Sequence, residues 1–160
     1  MPFLRRFFGG DRELRDSQLR AEAARAAEGL DIEAAMAAHR EWKRQLQVLL
    51  LGGHATQVPA EATALDRERV ARDDRCDLGC WIHGRGRARL GTFPGFTDLL
   101  AHHRMFHHVA GNVLALEAAG QAAAARRMMA DQFEDYSVRV ADDLRLLQRV
   151  VCDADAGRSA

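Results

Sequence analysis

The sequence predicts an all-α protein, an antiparallel four-helix bundle with an additional N-terminal helix. The composition is rich in Ala and Leu, with 6% aromatic residues, three prolines and one tyrosine, so it lacks the β-branched and aromatic excess of a sheet protein. Apolar residues recur at helical spacing over long stretches with mostly short connections, which is typical of antiparallel helices. A chain of 160 residues is long enough for one domain with a hydrophobic core.

Five helices are predicted, with approximate bounds at residues 11–28, 31–51, 60–81, 92–119 and 121–152. Asp31 is a suitable N-cap for the second helix, and Glu33 follows in its first turn, where a negative charge suits the helix dipole. Residues 54–59 are predicted to connect the second and third helices. Gly84 and Gly86 predict a loop over residues 83–87, before the fourth helix.

Charge and hydropathy argue against two classes of partner, nucleic acids and membranes. Lys+Arg and Asp+Glu both count 23 and the pI is about 7.1, which argues against nucleic-acid binding. No apolar run approaches the roughly 20 residues of a membrane span, and the first residues do not resemble a signal peptide. We therefore expect a cytoplasmic protein without a transmembrane segment, whose three cysteines are reduced and either buried, metal-bound or redox-active.

Three histidines fall on apolar helical stripes, which is unusual for a polar side chain. His103 and His107 lie one helical turn apart on the same face, where two imidazoles can bind one metal ion. His39 lies on a similar stripe of the second helix. Burying imidazoles without partners is unfavourable, and a shared metal ion satisfies all three. The neighbouring His102 and His108 lie beside the stripe and are expected to be exposed.

The cysteines offer a rival metal site. Cys76 and Cys80 are four residues apart and share a helical face, and His83 follows closely, so these three residues could form a site of their own. A Cys-x3-Cys spacing alone is a weak indication of zinc, and both cysteines are equally consistent with small buried residues. Cys152 has no evident partner in the polar tail.

Three short motifs resemble those of the chemoreceptor zinc-binding family, and they occur in the same order. His39–Lys43 is similar to the family's H-x-x-W-K element, Cys76–Ile82 to its C-x-L-G-x-W-[LI] element, and His103–His107 to its H-x-x-F-H element. The resemblance extends over roughly residues 31–151, and its specificity lies in the ordered set of three motifs. Cys80 departs from the family pattern, which often has Lys or Arg at this position.

The resemblance implies a helical-bundle homodimer with one zinc ion per subunit, held by His39, Cys76, His103 and His107. It also implies a non-enzymatic regulatory role in bacterial signalling and chemotaxis. The expected partner is a signalling protein of a chemoreceptor or diguanylate cyclase pathway. Because the chain has no room for a receptor or cyclase domain, it resembles a stand-alone member. The expected domain limits are 1–30 for an N-terminal tail and leading helix, 31–152 for the zinc-binding bundle, and 153–160 for a disordered C-terminal tail.

Four protein ligands would leave no coordination position vacant, whereas catalytic zinc sites keep one open. We therefore expect a switch in which loss of zinc, or oxidation of a redox-reactive Cys76, releases one ligand and changes helix packing. The resemblance supports sensing of zinc or of hypochlorous acid, and the sequence does not choose between them. Cys80 is a candidate resolving cysteine. Trp42 and Trp81 are expected to pack around the ligands or in the core.

Three other functions stay open at the level of sequence. A metal-dependent hydrolase would use His39, His103 and His107 with an open zinc position, but no Asp or Glu on their stripes offers a general base. A haem or di-iron bundle is also open, although no Glu precedes a histidine by three residues, the spacing that di-iron bundles use. The last alternative is a plain helical interaction module whose histidines are incidental.

Overall fold

The computed structural model describes residues 4–27, 31–51 and 68–156, and every regular element within them is helical. The four long helices are α1 (Leu4–Ala27), α2 (Ile32–Leu51), α5 (Pro94–Ala118) and α7 (Glu134–Ala156). The three short ones are α3 (Asp77–Trp81), α4 (Arg87–Leu90) and α6 (Ala122–Met128). Two π-helical segments, Ile82–Gly86 and Met129–Phe133, precede α4 and α7. The all-α prediction is confirmed, and the antiparallel four-helix arrangement stays a prediction.

Helix α7 is the element that joins the others, because it packs against α1, α2 and α5. The core lies mainly between α5, α7 and the π-helical segments, and its largest fully buried apolar side chains are Phe106, Phe133, Ile82, Leu99, Leu144, Val109, Val113 and Val140. Each buried side chain of this size contributes roughly 1.5–3 kcal/mol relative to exposure. The rings of His39 and Trp42 on α2 contact Phe106 on α5 near the candidate site.

Several helix ends carry residues that suit them, and the predicted N-cap is among them. Asp31 caps α2, because its Oδ1 accepts a hydrogen bond from the Ala34 amide at 2.8 Å. Pro94 begins α5, where its missing N–H is not needed. Gly120, with φ of 73°, adopts a left-handed conformation just after that helix. The final helix extends to Ala156, four residues beyond its predicted end. The domain limits stay a prediction.

The predicted loop over residues 83–87 is wrong. Two helical stretches meet within Ile82–Gly86 at a kink, where Gly84 has the non-helical angles φ −97° and ψ −108°, and the second stretch continues into α4. Gly86 is buried, and a Cβ there would lie 2.8 Å from a ring carbon of Phe96. These glycines therefore allow a kink and a close contact within a helical region.

The third predicted helix is only partly observed. Residues 68–71 are helical, residues 72–76 form a turn, and α3 follows, so the part of residues 60–81 that the structure describes is not one helix. Residues 60–67, the predicted connector at residues 54–59 and the glycine pair before it lie outside the described residues. No described helix combines the length and the apolar character that crossing a membrane requires.

Candidate metal centre

Cys76 lies at the start of α3 and caps it. Its backbone is extended (φ −81°, ψ 163°), and its Sγ accepts a hydrogen bond from the Gly79 amide at 3.2 Å. A Cβ at Gly79 would lie 2.0 Å from the carbonyl oxygen of Asp73, so only glycine lets this turn pack so closely on itself. The compact turn directs the sulfur of Cys76 toward α5.

His103 and His107 meet that sulfur from one face of α5. They are 1% and 6% exposed, and their Nε2 atoms lie 3.3 and 3.6 Å from the Cys76 Sγ. The three candidate ligand atoms all lie within 4.8 Å of one another. Zn–N and Zn–S bonds in a tetrahedral site separate neighbouring ligand atoms by about 3.3–3.8 Å. The spacing and the donor types of these three residues therefore fit a zinc ion.

The ring nitrogens of the two histidines differ in their partners. His107 Nδ1–H donates to the carbonyl oxygen of Val70 at 2.6 Å, and because a carbonyl only accepts, the proton resides on Nδ1. This leaves the lone pair of Nε2 facing Cys76, as a metal ligand requires. His103 Nδ1 is buried without a hydrogen-bond partner among the described residues.

Burial sets the charge of the site. Desolvation lowers the pKa of His39 to about 4 and that of His103 to about 3, and it also lowers the pKa of His107. All three imidazoles are therefore neutral at pH 7, which is the form that binds a metal. Burial raises the pKa of the Cys76 thiol, and a bound cation opposes this effect because it favours the thiolate.

His39 lines the same cavity but stands apart from the three-residue cluster. The cavity has a volume of about 230 Å³ and is bordered by His39, Trp42, Cys76, His103, Phe106 and His107, among others. His39 Nε2 lies 3.2 Å from the Ser137 Oγ on α7, and its ring packs on Phe106 with 4.3 Å between centroids. The structure thus brings together Cys76, His103 and His107, and the role of His39 as a fourth ligand stays a prediction.

The two tryptophans occupy different places. Trp42 packs beside the cluster, with its ring 5.6 Å from that of His107 and 5.3 Å from that of Phe106. Trp81 is buried in the core against Phe96, at 5.9 Å between ring centroids. Trp42 therefore shields the candidate ligands, whereas Trp81 is a core residue.

The rival set of Cys76, Cys80 and His83 does not converge. Cys80 is exposed, and its Sγ donates to the carbonyl oxygen of Asp74 at 3.5 Å. His83 Nε2 lies 2.9 Å from the carboxylate of Asp73. Within the described parts of the chain, the only group of three or more such side chains that could hold a metal ion is formed by Cys76, His103 and His107.

The other two histidines of α5, which were expected to be exposed, differ in their burial. His108 is exposed as expected, but His102 is half-buried and its Nδ1 lies 2.7 Å from the carboxylate of Asp143. The three motifs do not predict the contacts that Ser137 and the Val70 carbonyl make with His39 and His107. Ser137 was detectable, because its place on the apolar stripe of the last helix predicts a buried hydroxyl that needs a partner. No side-chain pattern marks a backbone carbonyl.

The fold and the site together define an all-helical domain with a buried Cys-His-His cluster suited to zinc. Residues 39–114 match the model of the chemoreceptor zinc-binding domain, a family whose name implies zinc binding and signalling. The match begins at His39 and includes Cys76, His103 and His107. No curated protein and no solved structure matches the chain.

Proposed function

We propose that this chain is a zinc-binding regulatory protein of bacterial signalling, with the ion held by His39, Cys76, His103 and His107. The observation that carries the proposal is the convergence of two imidazole Nε2 atoms on one buried sulfur, at 3.3 and 3.6 Å. One thiolate and neutral imidazoles are donors typical of structural zinc sites. His39 borders the same cavity, which supports its place as the fourth ligand.

The role of such a site is regulatory rather than catalytic. Four protein ligands saturate a tetrahedral zinc ion, and the described cluster contains no carboxylate to act as a general base. The four ligands belong to α2, the start of α3 and α5, so a bound ion ties three segments together. Loss of one ligand would remove a link between these segments and change how the helices pack.

The signal that reaches the site is zinc itself or an oxidant such as hypochlorous acid acting on Cys76. Cys76 is only half-buried and borders the cavity, so a small oxidant has a path to its sulfur. An oxidised sulfur is a poor ligand, because the metal binds the thiolate. The resulting change in helix packing would be transmitted within a homodimer to a signalling protein of a chemoreceptor or diguanylate cyclase pathway.

Metal analysis of the purified protein tests the zinc site. We expect about one zinc ion per wild-type chain, as for a closed four-ligand site, and little in His107→Ala, which loses a ligand. His108→Ala is the matched control, because His108 is the exposed neighbour of His107 and should leave the zinc content unchanged. Retention of zinc by His107→Ala would disprove the proposed ligand set.

Oxidant titration tests the role of Cys76. Zinc release from the wild-type protein is followed with a chromogenic chelator as hypochlorous acid is added. Cys76→Asp is the informative variant, because Asp is both a zinc ligand and a good N-cap but carries no thiol. We expect it to keep zinc under doses of oxidant that release zinc from the wild type. Equal release from both proteins would rule out Cys76 as the oxidant-sensitive ligand.

A further inference from the structure

We propose that Cys80 is a second redox site, whose thiol forms a disulfide with Cys76 after an oxidant attacks the site. This inference rests on the proposed function, in which Cys76 is an oxidant-sensitive zinc ligand, and it extends that function by making the response reversible. It assigns a role to Cys80, an exposed thiol that the proposed zinc site does not use.

The placement of the two cysteines on one turn carries the proposal. The Cys80 amide donates to the Cys76 carbonyl oxygen at 2.8 Å, so the two residues share one turn, with Cys76 as its N-cap and Cys80 four residues later. A disulfide needs Cβ atoms about 3.5–4.5 Å apart, closer than the roughly 5–6 Å between residues four apart in a helix, so the turn must tighten. Cys76 is an extended N-cap outside α3, so the tightening falls on the first turn of that helix.

The surroundings of the two sulfurs suit Cys76 to metal binding and Cys80 to reaction with Cys76. Cys76 faces the cluster, where its Sγ contacts His103 and accepts a bond from the Gly79 amide. Cys80 is exposed, and its Sγ makes one weak contact, to the Asp74 carbonyl at 3.5 Å. Cys80 is therefore a nearby thiol that is free to react without being a metal ligand.

The reaction balances with hypochlorous acid as the oxidant. The Cys76 thiolate attacks chlorine, so that an S–Cl bond forms, the O–Cl bond breaks and hydroxide leaves. The Cys80 thiol then attacks the Cys76 sulfur, the S–S bond forms, and chloride leaves. The proton from Cys80 combines with hydroxide to give water. The two sulfurs lose two electrons in total, and hypochlorous acid is reduced to chloride.

The disulfide has two consequences for the site. A sulfur in a disulfide is no longer a thiolate, so Cys76 is held away from the metal until a thiol reductant breaks the bond. The same bond protects Cys76 from further oxidation to sulfinic and sulfonic acids, which thiol reductants do not reverse. Cys80 would thus replace irreversible oxidation of Cys76 with a disulfide that a thiol reductant can reverse.

A peptide-level experiment on the full zinc-loaded chain tests the proposal. After one equivalent of hypochlorous acid, free thiols are alkylated and the protein is digested with trypsin. Cleavage after Arg75 and Arg85 leaves both cysteines on one peptide, Cys76–Arg85, so their disulfide appears as the loss of two hydrogens and the absence of alkylation. We expect this species in the wild type, and restored zinc binding after dithiothreitol.

Cys80→Ser separates the resolving role from the sensing role, and it changes only an exposed side chain. We expect this variant to release zinc as the wild type does, to accumulate sulfinic acid at Cys76, and to regain little zinc after dithiothreitol. Cys152→Ser is the matched control and should behave as the wild type.

The results distinguish this inference from the function on which it rests. Zinc release without a Cys76–Cys80 disulfide, or with Cys80 joined to Cys152 of another chain, overturns the role of Cys80 alone. Full recovery of Cys80→Ser after reduction also overturns it. If hypochlorous acid neither releases zinc nor forms the disulfide, both this inference and the oxidant-sensing function fail.

Discussion

His39 differs from the other predicted ligands because its Nε2 contacts a residue outside all three motifs. That residue, Ser137, is 5% exposed and lies 3.2 Å from the ring nitrogen. For Nε2 to bind zinc, the imidazole must leave Ser137, and the buried hydroxyl then loses its partner. A single hydroxyl on α7 therefore competes with the metal for the fourth ligand.

Replacing this hydroxyl should strengthen zinc binding. A hydrogen bond of this kind contributes about 0.5–1.5 kcal/mol, so we expect Ser137→Ala to bind zinc roughly two- to tenfold more tightly, as measured by competition with a chelator of known affinity. Ser137→Thr keeps the hydroxyl and should resemble the wild type. Weaker binding by Ser137→Ala would contradict this, and would mean that Ser137 orients His39 while Nδ1 binds the metal.

The residues of the site were predictable to different degrees. His103 and His107 were identifiable because a four-residue spacing puts them on one apolar face, and the structure brings them to Cys76. The contact of His39 with Ser137 was not predictable, because it depends on how α2 and α7 are positioned relative to each other. Helical spacing fixes neighbours within a helix, whereas distances between helices arise from the packing of the whole core.

At the scale of elements, Gly111 lets residues 68–71 approach α5 one turn after His107. A Cβ at Gly111 would lie 2.8 Å from the Cβ of Ala71, closer than two such carbons normally approach. The segment held there includes Val70, whose carbonyl oxygen accepts a hydrogen bond from His107 Nδ1–H at 2.6 Å. Close packing of these two elements therefore fixes the orientation of a candidate ligand.

Two glycine substitutions in α5 should consequently have different effects. Gly111→Ala gains up to about 1 kcal/mol of helix propensity, but overpacking costs about 1–3 kcal/mol, so we expect net destabilisation and weaker zinc binding. Gly95→Ala meets no atom within 4 Å, and it should be neutral or stabilising by up to about 1 kcal/mol with unchanged zinc binding. Urea unfolding and zinc titration measure both effects. Equal behaviour of the two variants would rule out a role for residues 68–71 in orienting His107.

The long helices were predictable because their apolar residues recur with a helical period, whereas the region around α3 was not. The turn at residues 72–76 depends on contacts such as the Arg72–Asp74 ion pair at 2.9 Å and the sulfur cap of Cys76. Gly84 and Gly86 predicted a loop because glycine is common there. The same residue also suits a kink and a close aromatic contact, and its identity alone does not distinguish these uses.

At the scale of the whole molecule, the buried imidazoles link folding stability to pH. The pKa is lowered to about 4 for His39 and to about 3 for His103, whereas both groups have a pKa near 6.5 when exposed. Between these values the unfolded chain binds protons that the folded chain does not. The free energy of unfolding therefore decreases as the pH falls below about 6.5, and this contribution is fully present only above that pH.

We expect the chelator-treated protein to lose about 2 kcal/mol of stability for each of these two histidines between pH 7 and pH 5, measured by urea unfolding. Asp73 and Asp74 have lowered pKa values, to about 2 for Asp74, so their contributions are lost only below about pH 4 and do not enter this window. The loss above pH 5 is thus a property of the buried imidazoles.

His103→Gln tests this assignment, because glutamine keeps a polar side chain but does not titrate. We expect its stability to fall by about 2 kcal/mol less than that of the wild type over the same pH interval. His108→Gln is the matched control, since His108 is exposed on the same helix and its replacement should preserve the wild-type pH dependence. If His103→Gln loses as much stability as the wild type, His103 does not stay neutral in the folded protein, and the site is not preset to receive a cation at neutral pH.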